Sequence, residues 1–131
     1  MSTTIDPASR INLQSWPAAD EANGTMADIA TKKILENDKV VVWEMTLEPG
    51  EATGVHTHTR SYMLYVVEGS KVDTLDTDGT SLGAVEAAAG HTVYFELQGD
   101  QLLLGEKRFP AKHEAKNIGA TRYREVLIEF K

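Results

Sequence analysis

Two histidines, His56 and His58, stand one residue apart in the stretch PGEATGVHTHTRSYMLYVVEG, residues 49–69. Side chains two apart on a strand share a face, so an extended backbone here points both imidazoles the same way. Neutral imidazole is the commonest metal ligand in proteins, and two on one face supply half a coordination sphere. Alone, the His-x-His pair reads first as two solvated strand histidines. A third imidazole from a distant strand would complete a facial set, and His113 in FPAKHEAKN is the candidate. His91 opens the segment HTVYF after a turn and reads as an exposed residue at a strand start; Asn117 reads as a hydrogen-bonding turn residue.

Short strands must position these groups. KVVVWEMTL places Val41, Trp43, Met45 and Leu47 on one face at period two, and the β-branched run Val40–Val42 supports a strand. Asn37-Asp38 is a turn pair that makes KKIL its partner strand. YMLYVVEG is a second strand, and SKVDTLDTDGTSLGAVEA reads as a hairpin with a type I′ turn at Asp78-Gly79. TVYFEL, AKHEAKN and YREVLIEF add further strands. Tyr65 has the opposite parity to Tyr62 and faces away from it, whereas Glu68 shares the parity of Tyr62 at the strand end. Many short strands without intervening helices predict an all-β sandwich or barrel. Earlier in the chain, SWPAADEANG holds a possible helical turn near Ser15, and MADIATKKIL is helical by periodicity in its first half and strand in its second.

Composition narrows the function. A chain of 131 residues is one domain by length and long enough for its own core. A net charge of −7 argues against nucleic acid or an anionic membrane surface as partner, since both demand a basic footprint. With no cysteine, disulfides, thiol catalysis and zinc–thiolate sites are excluded. The start lacks an apolar leader, and no run approaches the roughly 18 apolar residues of a membrane span, so a cytoplasmic protein is expected.

The spacing now supports a resemblance. Pro49-Gly50, five residues, His56-x-His58 and ten residues to Gly69 resemble the first motif of the cupins, and Pro110…His113-x-x-x-Asn117 resembles the end of the second. The likeness covers roughly residues 35–131 and implies an all-β, cupin-type double-stranded β-helix, a jelly-roll barrel. The expected organisation is one cupin domain over 1–131, with an N-terminal segment (1–30) and a barrel core (35–131). It departs from the family pattern at three points. Tyr62 stands where the first motif carries a Glu, Pro110 lies closer to His113 than usual, and ELQGDQLLLGEKRF reads as an insertion at the pocket mouth or a subunit contact.

The resemblance implies that His56, His58 and His113 hold a divalent transition metal (Fe, Ni, Co, Cu or Zn), the ions suited to imidazole without thiolates. Three neutral imidazoles leave such a site at +2 and favour an anionic or enolisable small molecule. Tyr62, the implied catalytic residue, has three readings. It is a core aromatic with a partnered hydroxyl, a phenolate ligand whose pKa near 10 the metal must lower, or an acid donating to bound water or substrate. The implied function is a small metal-binding cupin enzyme, a three-His dioxygenase, isomerase or lyase. The alternative is a non-catalytic small-ligand-binding cupin with a vestigial metal site. The family also implies a homodimer, with the N-terminal segment covering a sheet edge of its neighbour.

Overall fold

The computed structural model describes residues 30–131. The expectations for SWPAADEANG, for the first half of MADIATKKIL and for edge-covering by the N-terminal segment lie outside the described residues.

The described residues form eleven strands: β1 (Lys32–Glu36), β2 (Val40–Leu47), β3 (His56–Thr57), β4 (Tyr62–Glu68), β5 (Ser70–Leu75), β6 (Ser81–Ala87), β7 (Thr92–Gln98), β8 (Gln101–Leu104), β9 (Lys107–Pro110), β10 (Lys112–Asn117) and β11 (Tyr123–Phe130). They make a seven-stranded sheet in the order β1-β2-β11-β4-β7-β8-β9 and a four-stranded sheet in the order β3-β10-β5-β6. Every pairing is antiparallel. The all-β expectation holds. Among these residues no helix is long and apolar enough to cross a membrane.

Local chemistry explains the hairpins. The Asn37 side-chain oxygen accepts from the backbone N–H of Lys39 (2.8 Å) and Val40 (2.9 Å), closing the turn that pairs β1 with β2. The β5–β6 hairpin forms, but not through a type I′ turn. That turn needs positive φ at two residues, and only Gly79 (φ +89) supplies it. Gly79 N–H donates to Asp76 O and Asp76 N–H to Thr80 O, which makes a three-residue loop ending in a left-handed glycine.

Strand β2 buries Val41, Met45 and Leu47 and half-buries Trp43, as its alternation predicts. Met45 and Leu47 pack with Val66 and Tyr123; a second cluster joins Tyr62, Leu102, Ala111 and Leu127. Leu102, 0% exposed, adds a core role to ELQGDQLLLGEKRF, which the sequence reads as an insertion at the pocket mouth or a subunit contact. The segment folds into β8 and β9 and extends the large sheet, with Leu102 in the core, while Leu104 and Phe109 border a cavity as the pocket half of that reading expects.

Two positions tie the sheets together. Asn117 is fully buried, and its amide is saturated: it accepts from Ser70 Oγ and Gly119 N–H and donates to Leu47 O and Thr121 O. It is more than a turn residue, because it joins β10 to β2 and β5. Gly69 carries the chain from β4 in the large sheet to β5 in the small one. A Cβ there would lie 2.5 Å from the carbonyl oxygen of Ala87, too close for any side chain.

Candidate metal centre and ligand cavity

The register of β3 against β10 sets His113 directly opposite His56, and His58 follows two residues after His56. One ring nitrogen from each of the three lies within 4.8 Å of the others. Their ring centroids form a near-equilateral triangle with sides of 4.9, 5.0 and 4.9 Å. All three are buried, at 3%, 3% and 7% exposure for His56, His58 and His113. Among the described residues no carboxylate joins the group.

Backbone carbonyls orient two of the rings. His56 Nδ1 lies 3.0 Å from Gly54 O and 3.2 Å from Thr53 Oγ1; His113 Nδ1 lies 2.7 Å from Pro110 O. A carbonyl only accepts, so Nδ1 carries the proton in both rings and Nε2 keeps a free lone pair. Outer contacts of this kind fix the tautomer of metal-binding histidines. The third ring differs: His58 Nδ1 is buried without a hydrogen-bond partner among the described residues. Burial lowers the pKa of all three, with charge repulsion from His113 adding for His56 and from His56 and His113 for His58. His56 falls to about 4. Three imidazoles held neutral at pH 7, one with an orphaned nitrogen, are a donor set that fits a borderline divalent ion.

Tyr62 is sandwiched between His58 (centroids 4.4 Å apart, planes 18° apart) and Phe95 (5.0 Å, 25°). The lone pair of an imidazole nitrogen, by which His58 would hold an ion, points along its own ring plane. A phenol stacked parallel to that ring keeps its oxygen in a separate plane, which disfavours direct ligation. Burial and the nearby Glu125 and Glu129 carboxyls push the hydroxyl pKa well above 10, so it stays a protonated donor.

The triangle opens into a cavity of about 220 Å³. Its walls are mainly apolar, including Met45, Val66, Val72, Phe95 and Leu127. His91 also lines it; the residue is exposed, as expected, but it borders the site.

The polar groups that sequence reasoning missed lie on β11. Its inward face is Tyr123, Glu125, Leu127 and Glu129, all buried, while Val126 and Ile128 are half-buried on the outer face and Phe130 is exposed there. Glu125, 4% exposed, lines the cavity and accepts a short hydrogen bond from Tyr123 Oη through Oε1. Burial raises its pKa to about 7, partly offset by that hydrogen bond. Glu129 accepts from Trp43 Nε1 at 2.9 Å and lies 3.5 Å from Arg60 Nη1. A register shift between β4 and β11 accompanies this arrangement: Glu125 faces Val66 but Arg124 faces Glu68, so Val67 is a bulged extra residue. The bulge turns Glu68 to the outer face, correcting its expected parity with Tyr62, and there it bonds Arg122 and Arg124. Tyr65 is 47% exposed and does face away.

Comparison with solved structures decides the architecture. A cupin domain from Bordetella pertussis superposes with a TM-score of 0.59 at 21% identity, over 76% of this chain and 90% of that one. An RmlC-like cupin with a double-stranded β-helix fold from Methanocaldococcus jannaschii gives 0.55 at 14% identity, over 81% and 83%. The chain has the cupin fold. A Cupin 2 conserved barrel domain protein from Salinispora arenicola matches this cupin fold over 100% of the chain and 91% of its own, with a TM-score of 0.53 at 14% identity. No protein-family model matches the sequence, and no curated protein does.

Proposed function

We propose that this cupin-fold barrel holds a divalent transition metal on His56, His58 and His113 and is an enzyme acting on a small anionic or enolisable molecule beside it. The observation that carries this reading is the convergence of three buried, neutral imidazoles at the floor of a mainly apolar cavity. The bound ion would supply Lewis-acid polarisation of a ligand oxygen, and three neutral ligands would leave its +2 charge uncompensated. The protein's own groups do the rest. Gly54 O and Pro110 O hold His56 and His113 in one tautomer, the apolar walls exclude water, and Tyr62 offers a proton-bearing oxygen next to His58. The apolar enclosure and the two flanking hydroxyl and carboxyl groups favour proton-transfer chemistry, an isomerase or lyase, over a passive binding role.

Elemental analysis of purified protein tests the metal. His56→Ala is expected to lower metal content at least tenfold, whereas His91→Ala, at the cavity border, leaves it within about twofold of wild type. Equal retention in both folded variants would overturn the three-histidine assignment.

A further inference from the structure

We infer that Glu125, positioned by Tyr123, is the proton-accepting group of the cavity and selects ligands that carry an acidic hydroxyl, a phenol or an enol. The inference rests on the reading of the cavity as a ligand site, and it names the chemistry of the ligand at the wall that the large sheet supplies.

The first observation is placement. His56 sits on β3, His58 just past the end of that strand and His113 on β10 of the small sheet, whereas Glu125 sits on β11 of the large one, and all four line the same cavity. Between them stands Tyr62, stacked on His58 and near enough to Glu125 for that carboxyl to disfavour its ionisation. A ligand filling the cavity therefore spans from imidazoles to carboxyl across an apolar middle.

The second observation is the hydrogen-bond balance of Glu125. Oε1 is taken by Tyr123 Oη; Oε2 receives no donor among the described residues, although the residue is 4% exposed and borders the cavity. Oε2 therefore keeps its lone pairs open toward the cavity, where a ligand O–H can reach them. Among the described residues, the groups facing it supply no compensating cation. β2 offers Met45 opposite and β4 offers Val66 opposite; Tyr62 lies nearby on β4, and Tyr123 and Glu129 share its strand face. Glu86 and His91 are further titratable residues of the cavity wall. That setting keeps the carboxyl poised near neutrality, which suits an acid–base group.

The third observation is the bulge at Val67, one register step from Glu125, a device that re-aims side chains beside functional sites. The step itself is simple. Oε2 of ionised Glu125 takes the proton of the ligand O–H, the bonding electron pair stays on the ligand oxygen, and Glu125 becomes a neutral acid. Return of that proton to oxygen restores the start; delivery to the α-carbon of the resulting enolate, whose C=C pair forms the new C–H bond as the oxygen pair forms C=O, completes a tautomerisation.

The test uses 4-nitrocatechol, whose neutral and ionised forms absorb differently, with wild type, Glu125→Gln, Glu125→Ala and Tyr123→Phe, each chelator-treated and zinc-loaded. Glu125→Gln, which keeps the shape and the Tyr123 bond, is expected to weaken probe binding at least tenfold in the chelator-treated protein. Its bound probe should ionise at a higher pH than in wild type, with zinc uptake unchanged. Tyr123→Phe should retain binding but move the pH at which the bound probe ionises, a shift that a merely structural tyrosine would not cause. Glu125→Ala guards against a compensating amide contact. Folded Glu125→Gln and Glu125→Ala proteins that bind within twofold of wild type at every pH overturn the assignment, as does a wild type that binds no probe. Wild type that takes no zinc while Glu125→Gln still weakens the probe would sink the metal reading and leave Glu125 standing.

Discussion

Strands β2 and β11 lie side by side and share eight paired residues, yet they obey opposite rules. On β2 the apolar side chains at period two go inward and the alternation is honest. On β11 two carboxylates go inward and Val126, Ile128 and Phe130 go out. Strand parity is set by register, and one face must contain every second residue, so burying Glu125 and Glu129 forces the aliphatics outward. The difference shows where the barrel spends stability on chemistry. β2 builds the wall, and β11 furnishes it.

The largest expected effect comes from making β2 behave like its neighbour. Met45 pairs directly with Glu125; Met45→Glu would set two carboxyls against each other in an apolar wall. Denaturant unfolding at pH 7.5 should show a loss of about 3–5 kcal/mol, the cost of a buried, unpaired polar group. A loss under about 1 kcal/mol would mean that the wall is wetter than its lining implies.

The reverse change, making β11 behave like β2, should stabilise. The raised pKa of Glu125, about 7 against an ordinary 4.5, means that the folded state keeps a proton that the unfolded chain has released. Wild-type stability contributed by this group is therefore full below pH 4.5 and is lost as pH rises through 7. Glu125→Gln does not titrate, so it should exceed wild type by roughly 2–3 kcal/mol at pH 8 and converge with it below pH 4.5. Parallel stability–pH curves for the two proteins would show that Glu125 is not strained in the fold. Smaller still, Trp43→Phe removes the indole donor to Glu129 and should cost about 1–2 kcal/mol in the same measurement. Phe130→Ser, on the outer face of β11, should change stability by no more than about 0.5–1 kcal/mol.

The histidine triangle was legible because motif spacing and strand parity act on the same residues. His56 and His58 share a face through a two-residue step, and His113 was readable from the pattern around Pro110 and Asn117. The β2 wall and its Asn37 turn were legible for the same local reasons. Glu125 was not, since YREVLIEF alternates perfectly well with either face inward, and hydropathy prefers the wrong one. The tie-breaker was parity carried along the strand: Tyr123 and Leu127 share a face with Glu125, and that aromatic and leucine could have argued for it. Glu68 failed by the bulge at Val67, which no local sequence signal marks, because the extra residue is created by pairing with β11. The Asp78-Gly79 turn was placed correctly but typed wrongly, as its glycine alone takes positive φ.

The close approach at Gly69 has a consequence for redesign. Backbone meets backbone there, with the Ala87 carbonyl oxygen filling the space of a Cβ, so that end of the barrel has no adjustable part. Ala87 also borders the cavity, so the residue that Gly69 packs against is part of the chamber's wall. An engineer who wants a larger or differently shaped chamber has Val72, Val85, Leu104 and Phe109 to trim or swap, all side chains of its lining. Substrate range should thus be tunable from those walls, while the pinch at Gly69 tolerates no side chain.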